Sequence, residues 1–183
     1  MLPDPLHPAL VHFPIVLALL APFFVAGFLF AIHTRRLPAR AWLAVVVLQA
    51  VIYGAAWATA QTGHKEEERV ERVVQEDPIE EHEEAAEWFL WIAGLTVPVA
   101  GVGLLSGGLG TAGRGLALAG SLLAALAVAR VGHTGGQLVY KYGAATAYLD
   151  SPTAAEVLTR SALGKLLPGD ADRSGHGHHD HDD

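Results

Sequence analysis

Residues 7–24 read HPALVHFPIVLALLAPFF, and the run stays free of Asp, Glu, Lys and Arg as far as Ile32. A helix rises about 1.5 Å per residue, so about 20 apolar residues cross a hydrocarbon core of about 30 Å, and this segment is long enough. Working outward, charge-free runs recur at 41–60, 88–113 and 115–129, the last becoming long enough to span if carried through Arg130, Val131 and His133. Hydrophobic residues make up 51% of the 183, and charge gathers in residues 61–87 and in the C-terminal tail. That is a membrane composition. The expectation is an all-α integral membrane protein, an up-down four-helix bundle over residues 1–147. Its spans should fall at about 8–32, 41–62, 86–110 and 113–140, with the second and third helices extended beyond the membrane.

Two further segments are expected after the bundle. Residues 148–172 contain SPTAAEVLTRSALGKLL, which reads as an amphipathic helix lying at the membrane surface, and 173–183 as a disordered tail rich in His and Asp. The flank MLPDPLHP carries Asp4 and no Lys or Arg, and no small-residue cleavage site is clear, so the first segment is expected to stay in the mature protein. The chain has no cysteine, which excludes disulfides, iron–sulfur clusters, thiolate zinc sites and covalently attached c-type haem. A formal charge of −7 without a basic cluster excludes nucleic-acid binding.

Charge also orients the chain. Arg35, Arg36 and Arg40 sit between the first two spans and Arg114 between the last two, whereas residues 61–87 hold eleven acidic side chains. The positive-inside rule puts the arginines in the cytoplasm and both termini outside, in a bacterial inner membrane. The acidic connection is expected to continue the second helix to about Glu76, turn at Asp77-Pro78 and descend from about Ile79.

In that arrangement His12, His64, His82 and His133, one from each helix, come to one outer level, while His33 alone lies inside. Each taken singly also reads as an interfacial imidazole that snorkels or caps. Their convergence points to a b-type haem held by imidazoles from different helices, with Arg130, one turn before His133, facing a propionate. The diagonal pairs His12 with His82 and His64 with His133 are the natural axial couples. The rival reading is a transition-metal site for Zn, Cu or Fe, using His64, Glu67, Glu68, His82 and Glu83, with His176, His178, His179 and His181 of the tail as weak ligands. A third is a cofactor-free structural or assembly subunit. An electron-transfer or binding protein is favoured over an enzyme, with the lipid bilayer, a redox partner or complex subunits, and a second copy of the chain as its partners.

The elements HPALVHFPI, EEHEEAAEW and HTGGQLVYKYGAA, taken together, resemble the bacterial family of predicted membrane proteins known as domain of unknown function 2231. The likeness covers about residues 5–147, with His7, Pro8, His12, Phe13, Pro14, Gly135, Gly136, Leu138, Val139, Tyr140 and Gly143 at motif positions. It implies a four-span membrane protein and brings no reaction with it.

Overall fold

In a computed structural model the chain is helical, and the structure describes residues 6–148. Four long helices carry it: α1 (His7–His33), α2 (Ala39–Val70), α3 (Glu76–Val102) and α4 (Gly107–Tyr140), each long and apolar enough to cross a membrane. No strand occurs among the described residues. The expected amphipathic segment and His-rich tail, with His176, His178, His179 and His181, lie outside the described residues.

Local chemistry sets the breaks. α1 has Pro8 in its first turn, where a missing N–H costs nothing. It ends where Thr34 donates its hydroxyl to the Phe30 carbonyl and Arg35 takes the left-handed conformation, φ 56°, before Pro38. α2 stops earlier than the sequence suggests, at Val70, because Val74 turns inward onto Ile79, Leu138 and Ala144. α3 then starts at Glu76, with Asp77 and Pro78 inside its first turn. The connection between α3 and α4 also falls earlier than expected. α3 ends at Val102, and α4 begins at Gly107 behind an extended Ser106, so Arg114 lies within α4 rather than in a loop. There its Nε donates to the Gly103 carbonyl at 2.8 Å and its guanidinium lies over the Trp42 ring.

The packing inverts a water-soluble protein. Large side chains face outward, Phe23 at 75% exposure and Leu126 at 70%, and the interior is filled by Ala18, Ala21, Ala56, Ala85, Ala93, Ala100, Ala117 and Ala124. Lipid is as apolar as leucine, so the helices gain by close backbone approach, which small residues allow. α1 packs on α2 and α4, and α3 packs on α2 and α4. The approach of α3 to α4 is the closest. A Cβ on Gly113 would stand 2.7 Å from the Gly103 nitrogen, and one on Gly120 would stand 2.6 Å from the Thr96 hydroxyl. Two hydrogen bonds cross the dry interior: Gln49 Nε2 donates to Ser121 Oγ at 2.7 Å, and Trp42 Nε1 donates to the Ala100 carbonyl at 2.9 Å. Gln49 therefore has the interhelical role that a polar group in hydrocarbon requires.

Candidate functional site

Each helix buries one narrow stripe, and that stripe decides which histidine enters the bundle. On α1 it runs through Pro14, Ala18, Ala21, Pro22 and Val25. Stepping back from Pro14 by three and then four residues passes Val11 and reaches His7 rather than His12. His12 is five residues from His7, about 140° round the helix, and it is exposed. On α4 the stripe runs through Val128, Val131, Thr134 and Leu138. His133 and Arg130 fall off it; both are exposed, and the His133 Nε2 meets only its helical neighbour Gln137, at 2.9 Å. Of the four histidines expected to converge, the structure turns His12 and His133 outward, and the imidazole that meets His82 belongs to His7.

His7 and His82 are held in parallel ways. His7 Nδ1 lies 3.0 Å from the Thr59 carbonyl and 3.3 Å from the Thr62 hydroxyl. A carbonyl only accepts, so in the neutral ring Nδ1 carries the proton and Nε2 keeps its lone pair. His82 Nδ1 lies 2.9 Å from Thr134 Oγ1, whose own proton goes to the backbone carbonyls of Arg130 and Val131. The hydroxyl therefore accepts, and His82 has the same tautomer. Each ring also rests on a glycine that follows a threonine: His7 on Gly63 beside Thr62, His82 on Gly135 beside Thr134. The ring centres are 6.4 Å apart with their planes at 82°. Glu66 fixes the start of α1 from α2, its Oε1 accepting from the backbone N–H of Leu6 at 2.8 Å and of His7 at 3.0 Å. Below the pair is a cavity of about 50 Å³, walled by Val11, Pro14, Ala56, Phe89 and Val128 among others.

A second group begins one residue further along α2 and α3, at His64 after Gly63 and at Glu83 after His82. His64 Nδ1 stands 3.6 Å from Glu67 and 3.4 Å from Glu83, and one ligand atom from each of the three falls within 4.8 Å of the others. This part of α3 stands outside hydrocarbon, since seven carboxylates lie between Glu76 and Glu87. Burial, and then the neighbouring Glu67, pushes the Glu83 carboxyl above the usual range, with His64 pulling it part of the way back. Burial, and then the nearby His7, lowers His82, against a backbone carbonyl at Val131 that raises it. Of the five expected metal ligands, three are together here. Glu68 is exposed and apart from the group, and His82 faces Thr134 and His7 instead.

His7 was legible as a motif position and as an imidazole at the entrance of the first span, but not as the partner of His82. The signal that singles it out is the pair of Thr-Gly dipeptides, Thr62-Gly63 and Thr134-Gly135, each set against one imidazole.

No curated protein and no solved structure matches the chain. The family model described as a predicted membrane protein matches residues 3–148. With four spanning helices and that match over most of its length, the chain belongs to the membrane protein family of domain of unknown function 2231.

Proposed function

We propose that this chain is a transition-metal-binding protein of the bacterial inner membrane, an up-down bundle with both termini and the acidic half of α3 on the outer side. The observation that carries the reading is the convergence of His64, Glu67 and Glu83 from two helices, with ligand atoms within 4.8 Å of one another. One imidazole and two carboxylates suit a borderline divalent ion such as Zn²⁺, and the site keeps open positions because His64 is more than half exposed. A bound cation would offset the burial and the Glu67 charge that push the Glu83 carboxyl up. Arg35 and Arg36 between α1 and α2, with Arg40 in the first turn of α2, support the orientation.

The test is calorimetric titration of Zn²⁺ into the full chain in detergent. One site should disappear in both His64→Ala and Glu83→Gln, while binding by the His-rich tail remains as a common background. Identical isotherms for wild type and both variants would refute the site.

One observation favours electron transfer through haem b: two imidazoles with free Nε2 atoms, 6.4 Å apart, resemble an axial pair. The donor set fits iron, but the space does not fit the porphyrin. A cavity of about 50 Å³ holds a water or two, at about 30 Å³ each, and no macrocycle.

A further inference from the structure

Two imidazoles are presented like axial ligands in a chamber too small for haem, and that mismatch points to a smaller occupant. We propose that His7 and His82 form a two-nitrogen seat for a single Cu(I) ion, a site separate from the His64 group and independent of it.

Spacing comes first. A metal–imidazole bond of about 2.0 Å, plus about 1.1 Å from nitrogen to ring centre, separates the centres of two rings on one ion by about 6.2 Å when the arrangement is linear. The observed separation is 6.4 Å.

Preorganisation comes second. Metal-bound histidines almost always donate their other ring N–H to a carbonyl, hydroxyl or carboxylate, which fixes the tautomer and raises ligand basicity. Both rings meet that condition, His7 through the Thr59 carbonyl and His82 through Thr134 Oγ1. Neither Nε2 has a hydrogen-bond partner among the described residues, although every other polar contact of the two rings is made.

The chamber then selects the ion. Besides the two imidazoles, the only polar side chain that lines it among the described residues is Thr59, whose hydroxyl is already committed to the Ala55 carbonyl. No carboxylate lines it. A divalent ion would bring two charges into an apolar space with half of a tetrahedral ligand set and no counter-charge, at a large desolvation cost. Cu(I) carries one charge and is content with two nitrogens in line. Imidazole suits copper among the first-row metals.

The experiment uses the full chain in detergent. Cu(I) is supplied under ascorbate, with a chromogenic Cu(I) chelator as competitor, and the copper retained is read together with its X-ray absorption edge. The expected result is one Cu(I) per chain above the common background of the His-rich tail, with the edge of a two-coordinate site in the difference between wild type and His82→Gln. Affinity should fall at least about 100-fold in His7→Gln and in His82→Gln, and about 10- to 100-fold in Thr134→Val, which leaves the ligand and removes its anchor. His64→Ala and Glu83→Gln should retain Cu(I) fully, so the fate of this site and that of the outer one are read separately. Size-exclusion profile and helicity certify each variant, and Thr134→Val serves if either glutamine variant misfolds. Copper retention equal in wild type, His7→Gln and His82→Gln would overturn the proposal. So would a three- or four-coordinate edge, or a Soret band in the purified protein that disappears with His82→Gln.

Discussion

Adjacent glycines on α4 give a sharp test of how tightly the imidazole of His82 is seated. A Cβ at Gly136 meets nothing within 4 Å, whereas a Cβ at Gly135 would stand 3.1 Å from His82 Cε1 and 3.5 Å from its Nδ1. Alanine in place of glycine inside a helix gains about 1 kcal/mol from backbone restriction, and Gly136→Ala should keep that gain. Gly135→Ala has the same gain but must push the ring out by about 0.5 Å to reach ordinary carbon–carbon contact. That displacement carries Nδ1 from 2.9 Å off Thr134 Oγ1 to the edge of hydrogen-bonding range. Losing the bond costs about 1 kcal/mol and the overpacking about 1–2 kcal/mol more, so Gly135→Ala should be net destabilised by about 1–2 kcal/mol. The two variants, one residue apart, should thus differ by about 2–3 kcal/mol. Thermal unfolding followed by helicity in detergent reads the order of stability, and the His82 Nδ1–H resonance reads the hydrogen bond. Equal melting of the two variants with an unmoved His82 resonance would refute the seat.

Three other outcomes are expected. Ser121→Ala should destabilise the bundle by about 1 kcal/mol by leaving Gln49 without its acceptor, and Gln49→Leu added to it should recover most of the loss in the same melt. Gly103→Ala should disrupt the end of the bundle at the α3–α4 turn, because the new methyl would overlap the buried Trp42 indole nitrogen that donates to Ala100; a red shift and broadening of tryptophan emission would show it, and unchanged emission would count against the packing described. A reporter active only outside the cytoplasm should work when fused after Asp150 and fail at Thr34, and the reverse pattern would invert the proposed orientation.

The helices were legible in the sequence because hydrocarbon imposes a coarse demand, about 20 residues without charge, that composition alone satisfies. Their ends were less so. The run from 88 to 113 has no charge, so nothing in hydropathy marks the turn at Gly103–Ser106; what ends α3 there is a backbone turn. The site was legible in kind but not in membership. Height along the bundle follows from residue counting, and it put His12, His64, His82 and His133 at one level. Rotation about each helix axis follows from the buried stripe, which in a membrane protein is a stripe of small residues rather than hydrophobic ones. Reading α1 by its alanines and prolines, instead of by its leucines and phenylalanines, would have put His7 inside and His12 in the lipid-facing surface. Glu83 stands beside His64, whereas His82, one residue away and about 100° round the same helix, faces Thr134 and His7.

The clasp of Glu66 on Leu6 and His7 joins positions 60 and 59 apart in the chain. A nascent α1 has four N–H groups at its start with no partner of its own. The carboxylate that receives two of them is synthesised only after the whole second span. At about 5–20 residues per second, that leaves the first turn unfastened for about 3–12 seconds of translation. His7 therefore cannot take up its final position until the first helical hairpin has closed, and any ion seated against it must be loaded after insertion, from a chain already folded in the bilayer.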